Sequence, residues 1–413
     1  MPLDRFGKLP MDQDPISTRC CIVGGGPAGV MLGLLLARAG VRVVVLEKHA
    51  DFFRDFRGDT IHPSTLEVMD ELGLLEDFLQ RPHHKAHQLQ GWIGEEIVTV
   101  ADFSHLPTKC KFIVFMPQWH FLDFLCSHAK RYPTFHLYME AEVTGLIEEG
   151  ERVKGVHVRT PSRAVDIHAD LVVGADGRHS MMRGQRGFEV IDLGAPMDVL
   201  WMRLTQLPSD PKSSLGRFAD GQIMVMIDRG DYWQCAFLIP KGTFEDLRNK
   251  GLPEFRDDVR RLAPFLGDRV SELTDWKDIQ LLTVAVDRLR RWYRPGLLCI
   301  GDAAHAMSPI GGVGINLAIQ DAVAAANLLA KALREGSLTL DHLRAVQRRR
   351  ELPTRLTQRM QVLIQTRGIG RVLGRRGTPS LSVPIRLLRD WPILRRVPAR
   401  VIGMGFRPEH IGR

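Results

Sequence analysis

Three short stretches of this chain carry residues whose types and spacing could bind a large charged ligand. The first, IVGGGPAG, sets glycines at 24, 26 and 29 in a G-x-G-x-x-G pattern, with Ala28 inside it. Gly24 allows a tight turn and Gly26 lets the backbone approach a pyrophosphate. Gly29 lets the following helix pack close to a strand, and that helix's N-terminus attracts the phosphates. Glu47 and Lys48 follow about 20 residues on, at the end of the strand-like run VRVVVLE, where a carboxylate meets ribose hydroxyls. A carboxylate there repels a 2′-phosphate, so the turn suits FAD or NAD(H) rather than NADPH.

The second stretch, ADLVVGADGRHSMMR, contains a D-G-x-x-S-x-x-R pattern at Asp176, Gly177, Ser180 and Arg183. Asp176 can cap the next helix and Arg183 could meet a phosphate. A plain capping turn with a surface arginine reads equally well. The third stretch, GDAAHAMSPIGGVGINLAIQDA, begins at Gly301. Asp302 sits at a strand's C-terminal end, where a carboxylate can accept hydrogen bonds from a polyol chain. SPIGGVGIN then gathers bare backbone N–H groups and a helix N-terminus, an arrangement that stabilises negative charge. A reduced flavin carries such charge near N1. One FAD could therefore span both glycine turns, its adenine end at the first and its redox ring at the second. His305, beside the third motif, reads as a structural histidine.

These motifs need elements to hold them. TRCCIV reads as a buried strand, VMLGLLLARAG as an apolar helix and VRVVVLE as a second strand, which together make a βαβ unit. The 413 residues exceed one ordinary core. The expected fold class is α/β: a Rossmann-like FAD-binding domain with an inserted mixed or antiparallel sheet and a C-terminal helical segment.

Composition narrows the class of function. The net charge of +8 favours anionic ligands. It does not point to nucleic acid, because the basic residues do not interleave with aromatics. The six cysteines form no CxxC pair and no metal-ligand spacing, so no metal is expected, and the thiols read as free in a reducing, cytoplasmic compartment. No run reads as a transmembrane segment.

The motifs GGGPAG, ADGRHSMMR and GDAAHAMSPIGGVGIN, in this order, resemble the single-component flavoprotein monooxygenases of the para-hydroxybenzoate hydroxylase type. The resemblance covers the chain to about residue 350. It implies non-covalent FAD, transient use of NADPH or NADH, and O₂ as co-substrate. It also implies hydroxylation of an aromatic or polyketide-like small molecule through a C4a-hydroperoxyflavin. Glu47 resembles the family's ribose ligand, and Arg57 the arginine near the flavin and its pyrophosphate, with Arg54 as a rival. Gln118 resembles the glutamine beside the flavin, and Val143 the strand residue whose backbone meets the adenine. Asp176 resembles the aspartate shared by the FAD and reductant sites, and Asp302 the ribityl ligand. Pro309 and the run Gly312, Val313, Gly314, Ile315 and Asn316 resemble the loop that meets the isoalloxazine. The resemblance singles out no catalytic acid or base, since the cofactor carries the hard step.

The FAD domain is expected over 16–82, 111–190 and 285–345, after a loose extension at 1–15. The segments 83–110 and 191–284 should build a substrate domain, with a helical, Arg-rich segment over 346–413. In that segment Pro353 should mark a kink. Packing back on the FAD domain and peripheral membrane contact are both open to it. Pocket candidates on the inserted sheet are Trp201, Arg203, Phe218, Met226 and Tyr232, with Met224, Trp233 and Gln234 beside them. Three rivals share the scaffold. A halogenase resemblance would include W-x-W-x-I-P, but residues 235–240 read CAFLIP. An isoprenoid reductase and a flavin scaffold that sequesters a small molecule are the others.

Overall fold

A computed structural model describes residues 15–53, 60–94, 96–184, 187–211, 214–373 and 383–412. In chain order the elements used below are β1 (Ile16–Val23), α1 (Pro27–Arg38), β2 (Val43–Leu46), α2 (Pro63–Glu71), β3 (Gln88–Ile93), β4 (Glu96–Asp102) and α3 (Gln118–Ala129). They continue with β5 (Phe135–Tyr138), β6 (Glu142–Glu149), β7 (Arg152–Arg159), β8 (Ala164–Gly174), β9 (Met197–Thr205), β10 (Leu215–Ala219), β11 (Gln222–Asp228) and β12 (Tyr232–Pro240). The last are α4 (Leu252–Leu262), β13 (Gln280–Leu282), β14 (Tyr293–Arg294), β15 (Leu297–Cys299), α5 (Gly314–Glu335), α6 (Leu340–Ile364), α7 (Val383–Asp390) and α8 (Arg396–Met404).

The first sheet runs β14-β15-β8-β1-β2-β5, and the five strands from β15 to β5 are parallel. β6 and β7 extend it as an antiparallel flap on β8. Its central strands are buried on both faces, which is why CCIV and LVVG are unbroken apolar runs rather than alternating ones. Helices α1 and α5 pack against each other, and their apolar residues share one core with the sheet. All six cysteines are free and buried, and burial pushes the Cys21 thiol up to about 12.

The second sheet runs β13-β9-β12-β11-β10-β3-β4 and is mixed, because β10 and β3 pair in parallel while the other pairs are antiparallel. It joins the insert around residue 90 to the one after residue 190. One face, carrying Leu200, Met202, Met224, Met226, Trp233, Cys235 and Phe237, is sealed by Phe255, Val259 and Leu262 of α4. The other face looks toward the loop that precedes α5: Val199, Ile223 and Leu238 cluster with Ile310.

The stretch Ile310–Glu335 has the length and composition to cross a membrane. It is mostly buried inside the protein as the core helix against α1. Pro353 lies inside the long helix α6, which runs from Leu340 to Ile364. The chain beyond α8 returns across the FAD-type core. There Ile411 N donates to Glu71 and Gly412 N to Asn327, whose side chain donates back to the His410 carbonyl.

Candidate active site

The three motifs meet at the C-terminal edge of the parallel strands. Ala175 N donates to the Val23 carbonyl at 2.7 Å and Ile300 N to the Gly174 carbonyl at 3.0 Å, so the ends of β1, β8 and β15 lie side by side. A β-carbon on Gly24 would stand 2.4 Å from the Ala175 oxygen, and one on Gly29 would stand 2.0 Å from the Gly24 oxygen. Both contacts demand glycine. Gly301 presses on Ala28 and Ala318, where its β-carbon would lie 3.2 and 3.3 Å from theirs. Gly26 differs: it is the N-cap of α1, and the nearest atom to its β-carbon position is 4.0 Å away. The two glycine turns thus touch back to back and leave an open cradle at the helix N-terminus.

Acidic groups surround that cradle. Glu47 accepts from Gly25 N at 3.0 Å, with Lys48 exposed beside it. Asp176 accepts from Met181 N at 3.0 Å through one oxygen, while its buried Oδ1 has no hydrogen-bond partner among the described residues. Burial pushes the Asp176 carboxyl above its ordinary range, against hydrogen bonds from Ser180 and backbone amides. A buried carboxylate oxygen without a donor calls for a ligand hydroxyl or amine. Asp302 lies 3.6 Å from the Arg178 guanidinium, and both are part-exposed. Arg178 carried no weight in the sequence reading; its only signal was its place after Asp176-Gly177. Arg183 is not free to meet a phosphate, because it is buried in an ion pair with Asp287 and caps the Arg178 carbonyl.

The loop ahead of α5 is held from below. Gly312 has φ +62°, and a β-carbon there would lie 2.2 Å from Thr60 Oγ1. Thr60 Oγ1 donates to the Gly312 carbonyl at 2.9 Å. Asn316 spends its whole amide on the protein: Oδ1 accepts from His62 N and Thr65 Oγ1, and Nδ2 donates to the Thr60 and Gly312 carbonyls. Its side chain is therefore a brace that holds the loop. Val313 and Ile315 likewise bury their side chains, so this run offers a ligand its backbone amides. Pro309 and Gly314 are part-exposed at the loop surface. Gln118 stands at the first turn of α3, and Val143 pairs with Val158 in the flap. Arg57 and Arg54 lie outside the described residues.

Beneath Gly301 lies a buried ionic chain. Asp321, fully buried, accepts from Gly301 N at 3.0 Å and His305 Nε2 at 2.6 Å through one oxygen. Its other oxygen accepts from Arg350 Nε at 3.0 Å. Arg350 also donates to Glu409 at 3.1 Å and to the Arg407 carbonyl. Burial alone would raise the Asp321 carboxyl, but His305 and Arg350 hold it below the ordinary range. His305 is thus structural.

The inner face of the second sheet has an unusual row. Trp201, Ala236, Val225, Gly216 and Gly91 are cross-strand neighbours on five consecutive strands. Val225 is 36% exposed although Ile223 and Ile227, two residues away on either side, are buried. The row is low because three of its members are glycine or alanine. The Phe218 ring leans over both glycines, 3.1 and 3.4 Å from where their β-carbons would be. Of the pocket candidates, Trp201 and Phe218 belong to this face. Met226, with Met224 and Trp233, is sealed under α4 on the opposite face, which corrects that assignment. A one-residue offset along a strand flips the side chain across the sheet. Arg203 stacks on Tyr232, 4.3 Å from the ring centroid, and donates to its hydroxyl at 3.1 Å. Gln234, buried nearby, accepts from Arg229.

The FAD binding domain family matches residues 17–360. A 6-methylpretetramide 4-monooxygenase of Streptomyces rimosus is 36% identical over 356 residues, which cover 85% of this chain and 84% of that protein. This chain belongs to the FAD-dependent monooxygenase family. An uncharacterised aromatic compound monooxygenase, YhjG of Bacillus subtilis, is 27% identical over 76% of the chain, and the chain spans 61% of its length. The solved structure of OxyS anhydrotetracycline hydroxylase from Streptomyces rimosus matches the fold with a TM-score of 0.71 at 24% identity, covering 94% of this chain and 76% of that one. The cofactor is FAD, and the residues fit it: the open cradle at Gly26 and the donor-less oxygen of Asp176 are features a bound dinucleotide would satisfy. NAD(P)H is the reductant that goes with this family.

Proposed function

We propose that this monooxygenase uses NADPH or NADH and O₂ to hydroxylate an electron-rich, multi-ring aromatic molecule lying flat against the inner face of the second sheet. The observation that carries this reading is the exposed Val225 in a row of small residues, with the Trp201 and Phe218 rings on the same face. A flat apolar floor suits fused aromatic rings better than a single small phenol. Two relatives named for 6-methylpretetramide and anhydrotetracycline support a tetracycline-type polyketide class.

When bound, FAD supplies the hydride acceptor and the oxygen-activating centre. The chain's own part is positional and electrostatic. The first turn and Glu47 would hold the adenosine half, Asp302 and Arg178 the polyol, and backbone amides of the 313–315 turn would meet negative charge on the ring. The apolar floor excludes water and fixes which ring carbon is presented. A halogenase reading has no support at residues 235–240, where Cys235 and Phe237 are buried under α4.

The test is NAD(P)H consumption by the yellow holoprotein across single-ring phenols and fused-ring polyketides, with mass spectrometry of the products. Stimulation by fused rings and a product heavier by one oxygen are expected. Val225→Phe should abolish the fused-ring stimulation while FAD content stays unchanged. Equal stimulation by small phenols in both proteins would refute the flat-floor reading.

A further inference from the structure

The C-terminal helices present an apolar face that nothing among the described residues covers. Helix α7 buries none of its eight residues. Val383 and Leu387, four residues apart on one helical face, are 68% and 46% exposed. The turn that follows adds Trp391 at 59% and Ile393 at 60%, and α8 adds Val397 at 63%. Five large apolar side chains within so short a segment far exceed the scattered exposure normal for a protein surface. The segment is nevertheless built in place. Ala399 and Gly403 of α8 pack into the body, and a β-carbon on Gly403 would stand 2.8 Å from Leu106. The Ile402 carbonyl accepts from His62 Nδ1 at 2.7 Å. Arg389 ties α7 to Glu96 on β4, and Arg395 caps the Leu388 and Arg389 carbonyls.

The charge on this face identifies its occupant. Residues 383–400 hold five arginines, at 386, 389, 395, 396 and 400, against one acid, Asp390. Two copies of such a face would repel each other. Exposed tryptophan and aliphatic side chains set among arginines match a surface whose apolar layer lies under negative charge. We propose that residues 383–400 dock on an anionic lipid bilayer, with Trp391, Ile393 and Val397 entering the headgroup region and Arg396 and Arg400 meeting lipid phosphates. This surface is separate from the flavin site and stands whether or not the substrate reading does.

The test is flotation of full-length holoprotein with vesicles of phosphatidylcholine alone or with about 40 mol % phosphatidylglycerol. The bound fraction should rise at least about five-fold with the anionic lipid and fall on adding about 0.5 M salt. The double variant Trp391→Ser, Ile393→Ser should lose that binding while keeping its FAD content and melting temperature. A second variant, Arg396→Glu with Arg400→Glu, should lose it too, by charge alone. Absence of binding to anionic vesicles at low salt would overturn the proposal, as would equal binding by the double variant. A wild-type dimer that the double variant converts to monomer, with no vesicle binding, would assign the face to a second copy instead.

Discussion

Replacing Asp321 with Asn tests the buried ionic chain most sharply. The wild-type carboxylate is fully buried and accepts from Gly301 N, His305 and Arg350. Asn keeps the shape and loses the charge, leaving the Arg350 guanidinium, 1% exposed, balanced by Glu409 alone. Breaking a buried pair by removing one partner costs about 3–5 kcal/mol. For a chain of this size that lowers the melting temperature by about 4–6 °C. The Gly301 contact links the loss to the cofactor, so FAD should bind several-fold more weakly as well. The assay is thermal melting of Asp321→Asn, Arg350→Met and the double variant, each with and without excess FAD. The double variant removes both charges of the pair, and Glu409 keeps Arg349 at 2.7 Å. Its loss should therefore fall short of the sum of the single losses by about 1–3 kcal/mol. Strict additivity, or a single-variant loss below about 1 kcal/mol, would refute the charge-balance argument.

Gly24→Ala and Gly26→Ala should behave differently. The first clashes with the Ala175 carbonyl and should yield little folded protein, whereas the second meets open space and should fold normally but lose at least about ten-fold in FAD affinity, read by flavin fluorescence. Asp302→Ala should weaken FAD binding with little change in apoprotein melting, because its carboxylate is part-exposed and among the described residues meets only Arg178, at 3.6 Å. His62 gives a pH signature: burial pushes it from 6.5 down to about 4. The unfolded chain binds the extra proton first, so stability is full above about pH 6.5 and falls as pH drops toward 4, by about 3 kcal/mol. His62→Gln should flatten that part of the melting-versus-pH curve.

Much of the cofactor half was legible because its signals are local. Turn glycines, strand-end acids and an apolar βαβ run depend on neighbours in sequence, and the close approaches at Gly24 and Gly29 arise within one short segment and the strand beside it. The second half of the site was less legible. Met226 and Val225 are adjacent in an apolar strand, and only cross-strand pairing and the helix above decide which is sealed and which is exposed. Asn316 reads as a ligand beside glycines, yet Thr60, His62 and Thr65 claim its amide from more than 250 positions away in sequence. Arg350 and Glu409 read as members of a charged tail until the fold buries them on Asp321.

The sequence by itself determined the α/β class, the FAD cradle and the family chemistry, since short-range spacing sets a phosphate turn and a strand-end carboxylate. The tertiary structure decided the rest. It chose which sheet face meets the substrate, turned three separate motifs into one edge, buried an apolar span as a core helix rather than a membrane one, and left a basic apolar face outside. Each of those outcomes depends on which distant surface arrives to cover a residue, and residue order alone does not encode that arrival locally.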